Sequence, residues 1–324
     1  MGSHVVRLLC ERGERVRVLV RPTSRLNLLE GLPVEPVEGD LRDVESLRVL
    51  LRGASTAYHV AADYRLWASD PTEIYRSNVD GTANFMSAAR LEAVPKLVYT
   101  STVGCLGVPR DGSLGTEETP VKLEDMVGHY KRSKFLAEQG VMERARVGLP
   151  VVIVNPSTPI GSGDIRPTPT GRVIVDFLAG RIPAFVDTGL NIIDVRDVAA
   201  GHLLAAEKGR AGQKYVLGCR NVSLAEWLAM LAAICERPPP RICIPHCLAF
   251  AAAAVCTAWA GTVTRREPLI SLESVRMSRK KMFFSPAKAV RELGLPQSAV
   301  ETALKDAVRW FCKHGYVSLK VPPK

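Results

Sequence analysis

Short apolar runs alternate with amphipathic stretches along the first half of the chain. The apolar runs predict strands at residues 16–21, 34–40, 56–62, 96–102 and 151–156. The stretches between them predict helices at residues 43–51, 71–91 and 130–147. Continuous apolar strands are typical of a parallel sheet that is buried on both faces. Because strands that alternate with helices imply right-handed crossovers, we predict an α/β fold with a doubly wound parallel sheet.

The start of the chain matches the second half of a dinucleotide-binding βαβ unit. Gly2 is followed by an amphipathic stretch, then by Gly13 and the strand at 16–21. We interpret Gly2 as the last glycine of the turn that approaches a pyrophosphate, which predicts a Rossmann-type sheet lacking its first strand. Without that strand and the earlier glycines, we expect weak cofactor binding and lower stability.

The pattern becomes less regular after Pro156, where glycine, proline and threonine are dense as far as Gly171. Strands are predicted at residues 191–195 and 214–217, and helices at 197–208, 224–235 and 299–313. We therefore predict two domains. Residues 1–160 form the dinucleotide-binding domain, truncated at its N-terminus. Residues 161–324 form mainly a smaller, mixed substrate lobe, from which a segment at about 187–215 returns to the main sheet.

An alanine-rich apolar run extends from Cys247 to about Val263. A membrane-spanning helix needs about 20 predominantly apolar residues, and this run is short and weak for that purpose. We expect a helix that is buried or faces the partner in a homodimer, with a peripheral membrane contact as the alternative.

Composition narrows the class of protein. The net charge is +10, but the basic residues are dispersed and only 6% of residues are aromatic, which argues against a nucleic-acid partner. An anionic small-molecule substrate or an anionic membrane would suit the charge. The eight cysteines never form a Cys-x-x-Cys pair, so we expect reduced thiols and a cytoplasmic protein. No metal site is predicted, because the histidines lack further ligands at suitable spacing.

The strongest chemical signal is the pair Tyr130 and Lys134, which share one face of a predicted helix. An adjacent ammonium stabilises tyrosinate, so we expect Lys134 to lower the pKa of Tyr130. Upstream, a predicted strand ends in Thr100-Ser101-Thr102, at the edge of the sheet where ligands bind in such folds. A hydroxyl at a strand end followed by this pair is typical of hydride transfer to or from a carbinol carbon.

Several motifs extend this signal over almost the whole chain, and they resemble the extended short-chain dehydrogenase/reductase superfamily of the NAD-dependent epimerase/dehydratase type. The motifs are Gly39-Asp40-Leu41, His59-Val60-Ala61-Ala62, Asn78-Val79-Asp80-Gly81-Thr82, Tyr99-Thr100-Ser101-Thr102, Tyr130 with Lys134, and Asn155-Pro156-Ser157-Thr158-Pro159-Ile160-Gly161. The run from His59 to Ala68 and the Asn-Pro-Ser-Thr-Pro stretch are most similar to the hopanoid-associated sugar epimerase and dihydroflavonol reductase-like group. That likeness implies a link to hopanoid biosynthesis.

The resemblance implies a role for each matching residue. Tyr130 would be the acid/base, Lys134 would bind the nicotinamide ribose, Thr102 would polarise the substrate oxygen, and Asn78 would support the active-site helix or a water. The other residues implied to contact the cofactor are Gly2, Asp40, Leu41, Val60, Ala61, Ala62 and Pro156.

Arg21 bears on the choice of cofactor, because it ends the strand beside which the adenosine ribose lies in such folds. NAD enzymes often place a carboxylate there, whereas a guanidinium suits a 2′-phosphate. We therefore predict NADP, with NAD as the alternative. Four residues that follow a strand end mix charge and aromatic character and are candidate substrate contacts: Asp63, Tyr64, Arg65 and Trp67.

The predicted function is an NAD(P)-dependent epimerase or oxidoreductase that acts on a sugar or nucleotide sugar. The first alternative is an NADPH-dependent ketone reductase of the dihydroflavonol reductase or hydroxysteroid dehydrogenase type. An alternative of another class is a non-catalytic NADP-binding protein.

Overall fold

The computed structural model describes residues 1–65, 68, 70–259 and 272–317. Its helices are α1 (Gly2–Glu11), α2 (Val44–Leu51), α3 (Thr72–Tyr75), α4 (Gly81–Leu91), α5 (Gly128–Arg146), α6 (Pro169–Leu178), α7 (Val195–Lys208), α8 (Leu224–Ile234), α9 (His246–Trp259), α10 (Leu272–Ser278), α11 (Ala287–Leu293) and α12 (Val300–Lys313). Its strands are β1 (Val16–Val20), β2 (Val34–Glu38), β3 (Ala57–His59), β4 (Leu97–Thr100), β5 (Val151–Pro156), β6 (Thr158–Ile160), β7 (Ala184–Phe185), β8 (Gly189–Asp194), β9 (Lys214–Leu217), β10 (Arg220–Ser223) and β11 (Ile242–Cys243).

The main sheet is parallel and has the strand order β3-β4-β5-β9. Helices α2, α4 and α5 pack on one face around the apolar core that contains Leu47, Phe85 and Ile153. Helices α1, α7 and α11 cover the other face. The predicted α/β class and doubly wound sheet are therefore confirmed, and the strands are apolar because both of their faces are covered.

A gap separates the main sheet from a second parallel pair, β1 and β2. Among the described residues no strand pairs with the free edge of β1 or of β3. Both strands instead line a groove of about 970 Å³. The gap lies between β1 and β3, the two strands on either side of the position that the sequence analysis predicts for the missing strand.

The second half of the chain builds a separate layer. Strand β8 pairs in parallel with β6 and antiparallel with β10, and α6, α8 and α12 pack around them. Of the segment predicted to return to the main sheet, β9 does so by pairing with β5. The other strand, β8, does not, because its two edges are taken by β6 and β10. The division into two domains stays a prediction.

Two helices differ from the sequence prediction. The predicted helix at 71–91 is interrupted by a π-helical turn, Arg76–Asp80, between α3 and α4. Helix α6 falls partly in the stretch that we interpreted as irregular. It starts there because the Thr168 hydroxyl accepts a hydrogen bond from the Gly171 amide and proline occupies its first turn.

The apolar run from Cys247 forms α9, and its residues 260–263 lie outside the described part of the chain. The expectation that this helix is buried within the chain is wrong for the described part of α9, in which Ala253 is buried while Val255 is 71% exposed. The other expectation, that the helix faces a homodimer partner, stays a prediction. In the described ranges, no helix has both the length and the apolar character needed to cross a membrane.

Candidate active site

The predicted acid/base residue meets its predicted hydroxyl partner. Tyr130 lies in the first turn of α5, and Thr102 lies just beyond the carboxyl end of β4. The Tyr130 hydroxyl lies close enough to the Thr102 side chain for Thr102 to affect its pKa. The Thr102 Oγ1 also accepts a hydrogen bond from the Gly104 amide at 3.1 Å. Because the amide uses a lone pair of this oxygen, the Thr102 proton remains available to a neighbouring oxygen.

Lys134 lies one turn further along α5 and is buried. Its Nζ donates hydrogen bonds to the Tyr99 hydroxyl at 2.9 Å and to the Thr100 carbonyl oxygen at 2.7 Å. Burial lowers the pKa of Lys134 to about 8, because the ammonium loses its hydration. The fold therefore fixes the ammonium against β4 in the absence of any bound molecule.

The pKa of Tyr130 differs from the sequence prediction. Burial raises the pKa above that of a free phenol, and the hydrogen bond from Thr102 offsets only part of that rise. The predicted lowering by Lys134 is therefore wrong for this structure, because loss of hydration outweighs the favourable interactions of the phenolate. Tyr130 is a protonated phenol at neutral pH, which is the form that donates a proton.

His202 supports the same strand end. Its Nδ1 lies 2.7 Å from the Val198 carbonyl oxygen, which can only accept, so Nδ1 carries the proton. Its Nε2 then accepts from the Thr100 hydroxyl at 2.8 Å. Burial lowers the pKa of His202 to about 4, so the ring is neutral and holds Thr100 in place.

A buried amide and carboxylate, which sequence reasoning missed, fix the backbone of Thr102. Asn155 on β5 donates from Nδ2 to the Thr102 carbonyl oxygen at 3.0 Å and to Glu138 Oε2 at 2.8 Å. Lys214 on β9 approaches Glu138 Oε1 at 3.8 Å. The spacing of Glu138 four residues after Lys134 on the same helix was the available signal.

Asn78 lies in the π-helical turn and is buried. It donates to the Ser133 hydroxyl and to the Asp63 carbonyl oxygen, both at 2.9 Å, and accepts from the Asp63 amide at 2.8 Å. Asn78 thus ties α5 to the loop after β3. These contacts suit the supporting role that the resemblance implies.

The predicted substrate residues occupy the loop that Asn78 holds. Arg65 forms a salt bridge with Asp63, with Nε and Oδ1 3.0 Å apart. The Tyr64 hydroxyl donates to the Arg166 carbonyl oxygen at 3.2 Å. Trp67 lies outside the described residues.

The predicted cofactor residues divide into two sets. Gly2, Leu41, Val60 and Ala61 line the groove between β1 and β3, together with Arg25. The others lie beyond its lining: Arg21 exposed after β1, Asp40 paired with Arg42, Ala62 exposed after β3, and Pro156 buried at the end of β5.

The groove fits a dinucleotide in two respects. The N-terminus of the ten-residue α1 opens on it, and helix N-termini bind phosphate. A Cβ at Gly2 would meet only the Val60 Cγ1, at 3.9 Å, so the backbone there can be approached closely. Gly2, Val60 and Ala61 would hold the phosphates, and Lys134 would hold the nicotinamide ribose.

A doubly wound sheet with a hydroxyl, a tyrosine and a lysine at one strand end defines the class of nicotinamide-dependent oxidoreductases and epimerases. The chain belongs to the NAD dependent epimerase/dehydratase family, whose sequence model matches residues 1–218. This membership confirms the predicted resemblance.

Known relatives agree with this assignment. A Synechocystis sp. protein named provisionally as a dihydroflavonol 4-reductase is 46% identical over 98% of this chain and 93% of its own length. Sterol demethylase protein B of Methylococcus capsulatus is 35% identical over 98% of this chain and 97% of its own. The crystal structure of a nucleoside-diphosphate-sugar epimerase from Pseudomonas aeruginosa is similar with a TM-score of 0.82 and 27% identity, covering 98% of this chain and 95% of that one.

Proposed function

We propose that the protein is an NADP-dependent oxidoreductase that reduces the ketone of a largely apolar substrate. The observation that carries the proposal is the contact between Tyr130 and Thr102 beside the fixed ammonium of Lys134. The names of the two curated relatives above, a flavonol-type reductase and a sterol-processing protein, support an apolar ring system over a sugar.

Thr102, Tyr130 and Lys134 each have a separate role in the proposed reduction. A bound nicotinamide would supply hydride to the carbonyl carbon of the substrate. The Thr102 hydroxyl donates a hydrogen bond to the carbonyl oxygen and so stabilises the negative charge that develops there. The Tyr130 phenol then gives its proton to that oxygen, which completes the alcohol. Tyr130 is then reprotonated from solvent before the next turnover, and Lys134 would hold the nicotinamide ribose.

The proposed preference for NADP rests on the charges beside the groove. Arg21 follows β1 and Arg25 lines the groove, whereas the nearest carboxylate after β2, Asp40, is paired with Arg42. A pair of guanidinium groups suits the 2′-phosphate of NADP, and β1 ends without the carboxylate that would bind a ribose 2′-hydroxyl.

A second candidate is epimerisation of a sugar or nucleotide sugar, the function first predicted from the sequence. Its support is the similarity to the nucleoside-diphosphate-sugar epimerase over nearly the full chain. This reaction would use the same residues, but it would need Tyr130 to start as the phenolate, which accepts the hydroxyl proton and later returns it.

Turnover assays separate the two candidates. The full chain is incubated with NADPH and sterol ketones or dihydroflavonols, and separately with NADP⁺ or NAD⁺ and nucleotide sugars, because epimerisation begins with hydride transfer from the sugar to the oxidised nicotinamide. A reductase consumes NADPH in proportion to the alcohol formed. An epimerase inverts the sugar without net NADPH consumption and retains its cofactor. The first proposal would be overturned if none of the ketones caused NADPH to be consumed and the nucleotide sugar were inverted.

A further inference from the structure

We propose that α9, with the basic segment that follows α10, is a docking surface for an anionic phospholipid bilayer. The surface comprises an apolar part (Ile242, Leu248, Phe250, Val255 and Trp259) and a basic part (Arg241, Arg276, Arg279, Lys280 and Lys281). The docking depends on neither the proposed reaction nor its substrate.

The large apolar side chains of the apolar part are exposed to water, which is energetically unfavourable. Ile242 and Leu248 are each 62% exposed, and Trp259 is 61% exposed. A helix that is apolar on all sides is normally enclosed by protein or lipid. Because α9 buries one side at Ala253 and exposes the rest, it needs a further apolar medium to cover it.

The basic part lies beside this helix because α9 and α10 run antiparallel. His246 Nε2 lies 3.3 Å from the Ser278 carbonyl oxygen at one end, and the Leu272 amide donates to the Thr257 hydroxyl at 3.1 Å at the other. Arg279, Lys280 and Lys281 therefore follow directly beside the start of α9.

Positive charge dominates this region. Lys281 is paired with Asp187 at 3.0 Å, and the Arg276 guanidinium lies 5.9 Å from the centre of the Phe250 ring. Two carboxylates adjoin this surface in the described part of the chain: Asp187, through Lys281, and Glu273, which faces Gly128 of α5. The five cations of the basic part outnumber these two carboxylates.

This charge decides between a bilayer and a second copy of the chain. A second copy of the chain would present a surface of the same positive charge, which offers no electrostatic attraction. An anionic bilayer supplies the opposite charge around an apolar interior.

The length of α9 sets how it would bind. Its 14 residues span roughly 21 Å, short of the ~30 Å hydrocarbon core, so the helix would lie in the plane of the interface. Trp259 suits that depth, because its ring is apolar and its N–H is polar.

Docking would also hold the candidate active site near the bilayer. A Cβ at Gly128 would meet Glu273 Oε2 at 2.9 Å, so α10 touches the first turn of the helix that carries Tyr130. An apolar substrate dissolved in the bilayer would then lie close to its site.

Vesicle flotation of the full chain tests the surface. We expect at least roughly tenfold tighter binding to vesicles that contain phosphatidylglycerol than to phosphatidylcholine alone, with a decrease as salt is raised. Val255→Glu should weaken binding roughly tenfold or more. Val147→Glu is the matched control, because Val147 is 75% exposed at the far end of α5 and should bind as the parent does.

The charge contribution is measured separately. A double variant, Arg279→Glu with Lys280→Glu, should lose the preference for phosphatidylglycerol. Absence of binding to both vesicles, or equal loss in the Val147→Glu control, would overturn the proposal. So would a dimer in sedimentation velocity that Val255→Glu dissociates while neither vesicle is bound, because the second copy would then be what covers α9.

Discussion

The two ends of the predicted cofactor site are built in different ways. At the catalytic end, Lys134, Asn78 and Asn155 each hold two or more hydrogen bonds within the protein. At the nucleotide end, β1 and β2 stand apart from the main sheet, and a groove replaces strand pairing. The chemical groups are thus set before any ligand binds, whereas the adenosine half of a cofactor would supply contacts that the protein lacks there. Changes at the first end should alter rate and stability, and changes at the second should alter affinity.

Tyr130→Phe should produce the largest effect at the catalytic end. Loss of the phenolic proton should lower kcat about 10²–10⁴-fold, since that is the usual contribution of a positioned acid. The cofactor Kd should stay within about twofold. Steady-state kinetics and cofactor titration measure the two quantities.

Tyr75→Phe is the matched control for Tyr130→Phe. The Tyr75 hydroxyl also has a partner, His129 Nδ1 at 3.2 Å, but it lies outside the Thr102 contact. Full turnover by Tyr130→Phe would remove the catalytic assignment and favour the non-catalytic alternative.

The burial of Lys134 predicts how stability depends on pH. Its pKa is about 8 when folded and near 10.5 when unfolded, so between these values the unfolded chain binds the extra proton. Stability should therefore rise with pH in this window, by about 3 kcal/mol in total. Denaturant unfolding at several pH values measures the rise.

Two variants isolate the contribution of Lys134. Lys134→Met should lack this rise, because the titrating group is gone. Lys208→Met, which removes an exposed lysine, should retain it. A parallel pH dependence in all three proteins would mean that Lys134 is hydrated in the folded state.

Asn155→Leu tests whether the catalytic end is held by its buried network. The change leaves Glu138 Oε2 without its hydrogen-bond donor, while the Thr102 carbonyl keeps only the Cys105 amide at 3.0 Å. This loss should cost roughly 1–3 kcal/mol of stability. Urea unfolding measures the cost, and Asn84→Ala, on α4, is a control for losing a partly exposed amide. Equal stability of Asn155→Leu and the parent would show that the network is not needed to hold Thr102.

Local patterns explain why much of the catalytic end could be predicted from sequence. Tyr130 and Lys134 fall on one helix face at any position in any fold, and β4 and β5 have continuous apolar runs. The helix α6 was missed because Pro169 and Gly171 resemble a loop until Thr168 caps them. The π-helical turn before α4 was missed because it does not disturb the apolar periodicity of the sequence.

Tertiary contacts explain what could not be predicted. The partner of Glu138 lies on β5, and the pKa of Tyr130 depends on burial that spacing does not encode. The surroundings of α9 were left open for a related reason: an apolar run indicates that something covers a helix, but not whether its own chain, a partner or lipid does so.

The nucleotide end is tested most finely by Arg21→Ala. If the guanidinium binds a 2′-phosphate, its loss should raise the KM for NADPH about tenfold, the value of one exposed charge-assisted hydrogen bond, and leave the KM for NADH unchanged. Arg15→Ala is the matched control, since Arg15 comes directly before β1, its side chain is 91% exposed, and it pairs with Glu35 at 3.5 Å. Equal changes for both nucleotides would assign Arg21 to general attraction of anions. A preference for NADH in the parent would overturn the NADP proposal. The kcat of Arg21→Ala should equal that of the parent, because the catalytic end is fixed by contacts that Arg21 does not make.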